Sequence, residues 1–412
     1  MSLLMILHQV THGVMLTEKF PSSEFKKCKI KNINQIIDNF CYIVIVKFKN
    51  IRCKYYNTFI SQSKCNYLIE GSYDNGRVIK AKELEIVVTD VDLKLIFETY
   101  DFDSYEFIEV YWSYKDYLPI EFIKFILEKY NKKTKLKGVP GKEIEYALEK
   151  ALFNALYGMT VTNNIRDTVI YDNEKWEEIP LNNDEILNLL QKEKEKSFLS
   201  YSYGVYVTAY ARRNLLENLI KLDKYQIYAD TDSLKIKEGY DKKIIEDYNK
   251  KVIEKIKKVC SDLKLNYSDF SPKDINGNVH TIGLFENESE KNQKFTYKEF
   301  ITLGAKKYAY KDFNNKIHIT VSGVPKEGAK SLKKLEDFKN DFIFEYKYTN
   351  KNSMCYNDNQ FYWDLKDYNN KIYRVTEKYG ICLFPCEYTL GISNEYADLI
   401  EENSSKHAIF KE

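Results

Sequence analysis

Apolar residues recur along this chain with two different spacings, and each spacing predicts one kind of element. Residues 41–100 alternate apolar and polar side chains, as in CYIVIVKFKNI and ELEIVVTDVDLKLIF, which is typical of strands with one buried face. The Asn-Gly step at residues 75–76 favours a tight hairpin turn between two such runs. This part of the chain therefore predicts a mixed, strand-rich module.

Apolar residues have helical spacing from Pro119 to Lys132, which predicts a helix there. A basic linker is predicted to follow it at Lys132–Lys137. A second helix is predicted from about Lys142 to Leu156. Residues 161–198 are polar and loop-like, and they end in a charged run typical of a solvated helix face. Beyond them we predict a helix at 204–222, a hairpin at 224–237, a charged helix at about 241–263, strands at 295–311 and 316–323, and a mixed tail at 330–412.

Length and composition limit the classes of protein to consider. The 412 residues suffice for two to four packed units, and a net charge of +2 means that nucleic-acid binding has to be inferred from local patches. The eight cysteines include no Cys-x-x-Cys pair, so a zinc site is not expected, and Cys382 and Cys386 are expected to be core thiols. No apolar run is long enough to span a bilayer. We therefore expect no membrane partner and a reducing cytoplasm, that of the host cell if the protein is viral.

The string YADTDS at residues 228–233 is the first candidate for chemistry. Alternating apolar residues flank it, so Asp230 and Asp232 are predicted to lie at the tip of a hairpin. Two carboxylates so close together repel each other, and a divalent cation held by hard oxygen ligands would offset that repulsion. An isolated Asp-x-Asp is as often a plain surface turn, but the six-residue string is much more specific.

The second candidate is KALFNALYG at residues 150–158. On a helix, Lys150, Asn154 and Tyr157 lie within about 60° of one another. Lys150 could pair with a triphosphate, Tyr157 could pack near a base or sugar, and Gly158 would end the helix or let a ligand approach the backbone. The other side of this helix is predicted to be its buried face: Ile144, Leu148, Ala151 and Ala155.

An ordinary amphipathic helix ending in glycine would show the same pattern, so this motif alone decides nothing. The third candidate, Lys306 and Tyr308, is also weak alone, because Lys-x-Tyr arises by chance in a chain rich in both residues. If these residues lie on a strand, Lys306 and Tyr308 face one side and Lys307 the other. Lys306 would then contact a phosphate, and Tyr308 would pack near a sugar or base.

Taken in order, the three motifs resemble those of family B DNA polymerases. YADTDS matches the family's Tyr-x-Asp-Thr-Asp-Ser at every defined position, and KALFNALYG is similar to the fingers motif Lys-x3-Asn-Ser-x-Tyr-Gly, with Ala155 in place of Ser. Lys306 and Tyr308 are similar to the Lys-x-Tyr motif that holds the primer terminus. The resemblance covers roughly residues 14–330. It implies an α/β (α+β) right-hand polymerase with an antiparallel palm sheet, helical fingers, two insertions and a thumb.

The resemblance also implies a domain order and favours the protein-primed, phage-type subfamily, whose members carry two insertions. One of these contacts a terminal protein, and the other helps strand displacement and processivity. The expected segments are a remnant of the first palm segment at 1–30, a terminal-protein-region-like insertion at 31–117, fingers at 118–160, a second insertion at 161–198, palm at 199–330 and a thumb-like region at 331–412. The basic run Lys132–Lys137 lies either near the incoming nucleotide or template or in a solvated loop.

The function implied by the resemblance is template-directed DNA synthesis from dNTPs on a template-primer DNA, with a terminal protein as the expected primer. Two Mg²⁺ ions, or Mn²⁺, would be held through Asp232 and Asp230. Lys150, Asn154, Tyr157 and Gly158 would bind the nucleotide. The residues expected to contact primer and DNA are Tyr228, Thr231, Ser233, Lys306 and Tyr308.

One expected motif is missing. Two-metal catalysis needs carboxylates from two strands, and the family's second one comes from Asp-x-x-Ser-Leu-Tyr-Pro, which should precede Met15. No Asp occurs before Asp38, and the family's upstream exonuclease is also not expected in this chain. Reading two bases later across Met5-Ile6 gives an Asp codon, and the same frame can spell Asp-Phe-Thr-Ser-Ser-Tyr-Pro. We therefore hypothesise that residues 1–13 are translated out of frame.

Two alternatives remain at this point. The chain is either a polymerase, or a catalytically disabled fragment of one that retains only binding of DNA or of a terminal protein. A structural protein with chance motifs would show no salt-dependent DNA binding, whereas both other classes would.

Overall fold

The fold combines helices with antiparallel sheets in two compact units. The computed structural model describes residues 3–389 except 9, 56, 75, 163–164, 166, 173–174, 197–199, 231–232, 288–296, 325, 340, 345–354, 358–359, 367–371 and 378–387. The larger unit lies within residues 6–288, and the smaller one lies within residues 289–405 together with the first residues of the chain. In the described part, no helix has the length and apolar character that crossing a membrane requires.

The first half of the larger unit is mostly strand. Its elements are β1 (Leu3–His8, of which residues 6–8 belong to this unit), α1 (Val10–Thr17), β2 (Phe20–Pro21), β3 (Lys26–Cys28), β4 (Phe40–Cys53), β5 (Cys65–Asp74), β6 (Arg77–Thr89), α2 (Asp90–Thr99), β7 (Tyr100–Asp101) and β8 (Ser104–Asp116). Strands β2 to β8 form one antiparallel sheet of order β2-β8-β4-β6-β5, with β3 paired to β8 and β7 to β4. Apolar side chains of this sheet and of α2 share one core, which confirms the predicted strand-rich module.

The prediction that the strand pattern continues to residue 100 was wrong, because it ends at Thr89. The Thr89 hydroxyl accepts a hydrogen bond from the Asp92 N–H (3.1 Å), and Asp90 and Asp92 lie in the first turn of α2. A threonine cap and early carboxylates both stabilise a helix N-terminus. The apolar residues of VDLKLIF fit both the two-residue period of a strand and the 3.6-residue period of a helix. The Thr89 cap therefore decides in favour of a helix.

The second half of the larger unit is mostly helical. Its elements are α3 (Ile120–Leu136), α4 (Glu143–Thr160), β9 (Thr168–Asp172), β10 (Lys175–Ile179), α5 (Asn183–Lys196), α6 (Tyr201–Leu222), β11 (Gln226–Asp230), β12 (Ser233–Lys237), α7 (Lys243–Leu263) and β13 (Phe285–Asn287). Helices α1, α3, α4, α6 and α7 pack around a second core. A four-stranded sheet has the order β11-β12-β1-β13, and β9 pairs with β10.

Two predictions for this half need correction. The basic run Lys132–Lys137 is not a linker, because α3 continues to Leu136 and the turn comes at Gly138, whose φ is +77°. Lysine is a good helix former, and cations are favourable near a helix C-terminus. Residues 161–198 are not a loop either, since they hold the β9–β10 hairpin and α5. The charged end of this stretch is helical, as its pattern indicated.

The smaller unit contains a three-stranded antiparallel sheet of order β14 (Glu299–Thr302), β15 (Lys307–Lys311) and β16 (Ile317–Val321). The strand predicted over 295–311 is therefore interrupted by a turn before Lys307. The hairpin predicted at Asn314-Asn315 is confirmed, with Asn315 at a φ of +62°. The remaining strands are β17 (Ile343–Phe344), β18 (Cys355–Asn357), β19 (Gln360–Lys366), β20 (Ile372–Glu377) and β21 (Tyr388–Thr389).

A buried carboxylate joins the seven-stranded sheet to α6. Asp90 is 2% exposed, and its Oδ1 accepts hydrogen bonds from the Tyr42 N–H (2.9 Å) and from the Tyr206 hydroxyl (2.8 Å). The Tyr206 hydroxyl also lies 2.7 Å from the Tyr42 carbonyl oxygen, so the two acceptors share its single proton. Burial raises the pKa of Asp90, and these two donors act against that rise. Tyr206 is itself fully buried, so its hydroxyl has no access to water as an alternative partner.

Replacing Tyr206 with phenylalanine should destabilise the larger unit by about 1–3 kcal/mol, because Asp90 would lose a donor that water cannot replace. Urea unfolding of Tyr206→Phe against the wild type measures this. Tyr203→Phe is the matched control, because Tyr203 is only half-buried on the same helix and no hydroxyl hydrogen bond is described for it. Equal midpoints for the two variants would contradict the role assigned to the Asp90 contact.

His12 is buried in the second core. Its ring stacks on Phe153 at 3.7 Å between centroids, and its Nε2 lies 2.7 Å from the Phe153 carbonyl oxygen. Burial, against the weaker effect of that hydrogen bond, lowers the pKa of His12 from 6.5 to about 4. Unfolded His12 therefore takes up a proton at a higher pH than folded His12. Its contribution to stability is complete above about pH 6.5 and is lost as the pH falls to about 4.

The stability of wild type relative to His12→Gln should fall by about 3 kcal/mol between pH 6.5 and 4. Urea unfolding across this range measures the difference. His280→Gln is the counter-control, because the carboxylates of Glu286 and Asp274 outweigh desolvation and raise the pKa of His280. Its difference from the wild type should grow as the pH falls from above its raised pKa to about 6.5, where the contribution of His280 is nearly complete. Parallel curves for wild type and His12→Gln would show that His12 does not titrate as described.

Candidate active site

The hairpin predicted around YADTDS is confirmed. Strands β11 and β12 pair antiparallel, with Asp230 opposite Ser233. The Ser233 hydroxyl donates a hydrogen bond to the Asp230 carbonyl oxygen (3.3 Å). Asp230 is half-exposed at the end of β11, and Ser233 is buried. Thr231 and Asp232 lie outside the described residues. The structure thus brings Tyr228, Asp230 and Ser233 into one hairpin.

The hairpin also contains a cation that the sequence pattern did not indicate. Lys235 is 2% exposed, and its Nζ donates a hydrogen bond to the Ser233 hydroxyl (2.7 Å). The same Nζ lies 5.6 Å from the ring centroid of Tyr228, its register partner on β11. Strand alternation would direct a lysine between two apolar residues toward solvent, but β12 is buried on both faces. A buried ammonium beneath the turn makes the surroundings of the acidic motif more positive.

Strand β1 lies between β12 and β13 in the same sheet, and it pairs antiparallel with β13 from Ile6 to His8. It reads Leu-Leu-Met-Ile-Leu-His and carries no carboxylate. Two-metal sites draw hard oxygen ligands from neighbouring strands. The described residues of the hairpin offer Asp230 alone, and no cluster of three potential metal ligands occurs in the described part of the chain. The described residues of the hairpin and of β1 therefore supply one carboxylate, whereas a two-metal site needs carboxylates from both strands.

Helix α4 carries the second motif on a surface away from its contacts. Lys150, Asn154 and Gly158 are exposed, and Tyr157 is half-buried against the core. The Lys150 Nζ lies 6.0 Å from the Tyr146 ring centroid. Burial raises the pKa of Tyr157, whereas the nearby charge of Arg212 on α6 acts to lower it.

The predicted buried face of α4 was wrong. Ile144 is 83% exposed and Leu148 59%, and Ala151 and Ala155 are also exposed. The helix instead buries Phe153, Leu156 and Thr160 against α3 and α6. Apolar residues lie on two sides of α4, so periodicity alone could not decide which side meets the core.

The prediction that Gly158 ends the helix was also wrong, because α4 runs to Thr160. The Gly158 carbonyl accepts hydrogen bonds from the Val161 N–H (3.2 Å) and the Thr162 hydroxyl (3.0 Å). A Cβ at Gly158 would meet nothing within 4 Å. At Gly204 on α6, in contrast, a Cβ would lie 2.2 Å from Val161 Cγ1 and 2.6 Å from Thr160 Oγ1. The close crossing of α4 and α6 therefore depends on Gly204.

Lys306 and Tyr308 belong to the smaller unit. Lys306 is not on a strand, as was predicted, but in the turn before β15 with a φ of +54°. Its carbonyl accepts a hydrogen bond from the Ser322 N–H (3.0 Å). Tyr308 pairs with Thr302 and Thr320, and its ring stacks on Phe300 at 5.2 Å between centroids.

The fold of this chain is also found among solved structures. Solved structures of phi29 DNA polymerase share it. The ternary complex of that enzyme with primer-template DNA and incoming nucleotide substrates has a TM-score of 0.56 and 17% identity, over 84% of this chain and 55% of that chain. Its post-translocation binary complex with primer-template DNA has a TM-score of 0.57 and 15% identity, over 95% of this chain and 58% of that one.

At this level of identity the likeness is one of fold. The chain spans somewhat more than half the length of phi29 DNA polymerase. No protein-family model matches the chain, and no curated protein sequence does.

The two helical glycines should respond oppositely to alanine. Gly204→Ala should destabilise the protein by about 1–3 kcal/mol, because the crossing of α4 and α6 would be overpacked. Gly158→Ala should stabilise α4 by about 0.5–1 kcal/mol, since alanine is the better helix former and the space is open. Thermal or urea unfolding of both variants measures this. A stabilised Gly204→Ala would mean that the two helices do not cross so closely.

Proposed function

We propose that this chain is the polymerising part of a template-directed DNA polymerase, which transfers nucleotides from dNTPs to a primer 3′-hydroxyl. The observation that carries the proposal is the Tyr-x-Asp-Thr-Asp-Ser hairpin, which lies beside β1 in a sheet of a chain with a polymerase-like fold. In this proposal the sheet β11-β12-β1-β13 is the palm, α3 and α4 belong to the fingers, and residues 331–412 form the thumb.

The exposed surface of α4 supports the roles proposed for its motif. Lys150 and Asn154 are open to solvent and Tyr157 is half-buried, so a nucleotide has access to a cation, an amide and a ring on one helix. Lys150 would neutralise triphosphate charge, and Asn154 and Tyr157 would line the nucleotide pocket. Open space around Gly158 leaves room for a ligand against the backbone.

Priming and DNA contacts extend the proposal. The enzyme would be protein-primed, with a terminal protein meeting the 31–117 module. Lys306, Tyr308, Tyr228, Thr231 and Ser233 would contact the primer strand. The half-exposed Tyr308 ring, stacked on Phe300, supports its role beside a sugar or base. Two solved structures that share this fold are complexes of phi29 DNA polymerase with primer-template DNA.

The chemistry needs a carboxylate that β1 lacks. Asp230 and Asp232 remain the proposed catalytic and metal-binding residues, and β1 is the neighbouring strand from which a second carboxylate would come. The same lack motivates a second candidate function, in which this chain binds DNA or a terminal protein without catalysis. The first candidate accounts for the complete later motifs, and the second for the composition of β1.

Primer extension distinguishes the two. We expect the chain as written to extend a primed DNA template barely, with either Mg²⁺ or Mn²⁺. A repaired chain with Asp-Phe-Thr-Ser-Ser-Tyr-Pro in place of residues 6–12 should extend it at least a hundredfold faster, since removing one group from a cooperating catalytic set commonly costs about 10²-fold or more.

The control is the repaired chain carrying Asp232→Asn, which should return to the level of the unrepaired chain. Binding of primer-template DNA is measured at several salt concentrations for the chain as written, the repaired chain and the repaired Asp232→Asn chain. This measurement reports folding and DNA binding separately from catalysis. Extension by the repaired chain alone supports the polymerase assignment of the fold and its motifs, with the chain as written disabled at β1. If the repaired chain binds DNA but does not extend the primer, only the second candidate stands. If no chain binds DNA, the first candidate is wrong, and only terminal-protein binding is left of the second.

A further inference from the structure

A polar depression lies at the tip of the β5–β6 hairpin, away from every motif discussed above. Its volume is about 600 Å³, which is within the range of small-ligand sites. It is open to solvent. The lining residues are Ser61, Gln62, Ser63, Gly76 and Arg77.

Backbone hydrogen bonds hold the two walls of this depression together. Ser61 forms a β-bridge with Arg77, and the Gln62 N–H donates to the Gly76 carbonyl (2.9 Å). The next bond along, from the Val78 N–H to the Ile60 carbonyl, is 2.8 Å long. The lining side chains therefore extend from a fixed backbone, so little ordering is needed when a ligand binds.

The lining offers donors and a positive charge. The Ser61 and Ser63 hydroxyl oxygens are 3.0 Å apart, and the Arg77 guanidinium donates through Nη1 to the Phe59 carbonyl (3.2 Å), leaving its other N–H groups available. In the described part of the chain, no carboxylate lies within ion-pair distance of Arg77. Lys82 on the same strand is, in contrast, paired with Glu70.

A second arginine continues the positive surface from this depression. The Arg212 guanidinium carbon lies 5.9 Å from the ring centroid of Phe59, the residue whose carbonyl Arg77 contacts. Arg212 is held by an ion pair with Asp92 and is about one-third exposed. It is also close enough to Tyr157 for its charge to act on that hydroxyl. Arg77, Phe59 and Arg212 thus connect the depression to the α4 motif.

We propose that Ser61, Ser63 and Arg77 form a phosphate-binding pocket that holds one backbone phosphate of a nucleic-acid strand passing over Phe59 and Arg212 toward α4. Arginine with hydroxyl groups matches the charge and the acceptor oxygens of a phosphate. The inference rests on the proposed function, because a strand reaching α4 is what a polymerase would bind.

The test is the affinity of a fluorescein-labelled oligothymidylate, measured by anisotropy over a series of salt concentrations. Arg77→Gln should bind several-fold more weakly, and the slope of log affinity against log salt should fall by about one. A Ser61→Ala and Ser63→Ala double variant should also bind more weakly but keep the wild-type slope. Arg77→Lys should restore the slope. Arg52 is an exposed arginine on β4 outside the depression, so Arg52→Gln is the matched control. It should change the affinity and the salt slope less than Arg77→Gln does.

Neutral methylphosphonate linkages, placed one at a time in the oligonucleotide, locate the phosphate. One position should weaken wild-type binding and have no further effect on Arg77→Gln. In a second experiment, inorganic phosphate at matched ionic strength is added as a competitor of the oligonucleotide. Competition in the wild type but not in Arg77→Gln would show that the pocket binds a phosphate group. If that competition occurs but no methylphosphonate position weakens binding, the pocket binds free phosphate and the backbone phosphate proposed here is rejected.

Equal salt slopes for Arg77→Gln and Arg52→Gln, with no position-specific methylphosphonate effect, would overturn the pocket. That result leaves the proposed function standing if the wild type still binds the oligonucleotide with salt dependence. Failure of the wild type to bind at all would count against the proposed function itself. Thermal unfolding of each variant excludes misfolding as the cause, and the exposed positions of Arg77 and Arg52 make the substitutions structurally mild.

Discussion

The burial of the Asp90 carboxylate is the constraint on which the larger unit depends. A carboxylate removed from water is costly unless donors replace the water, and here the Tyr206 hydroxyl and the Tyr42 N–H do so. Two further ion pairs, Arg212–Asp92 and Arg213–Glu98, join the same two helices, α2 and α6, nearer the surface. Because α6 leads through a single turn into β11, the contact that attaches the seven-stranded sheet also positions the helix that precedes the acidic hairpin.

Helix α6 links every element proposed for the site within this unit. Gly204 lets the end of α4, at Thr160 and Val161, approach α6 closely, and β11, which follows α6, ends at Asp230. On β12 of this hairpin, the buried Lys235 donates a hydrogen bond to Ser233, the register partner of Asp230, so a fixed positive charge lies within the hairpin.

The surface around α6 has two further features that bear on function. Arg212 stands between the α4 motif and Phe59, and Arg77 continues the positive charge beyond Phe59 to the polar depression. The outward side of α4 is apolar, with Ile144 and Leu148 open to solvent. Charge on one flank and apolar surface on the other give this region of the unit distinct sides, and only the charged side matches the chemistry of a phosphate backbone.

Local patterns in the sequence were sufficient to predict the acidic hairpin, most helices and the strand-rich module. These elements depend on apolar spacing and turn residues within a few positions along the chain. They failed where two periods fit the same residues, as in α2, or where both sides of a helix are apolar, as in α4. The burial of Lys235, the place of β1 beside β12, and the meeting of Arg77 with Ser61 were decided only by the tertiary structure. Each of these depends on which distant segment packs against the residue, and a local pattern does not contain that information.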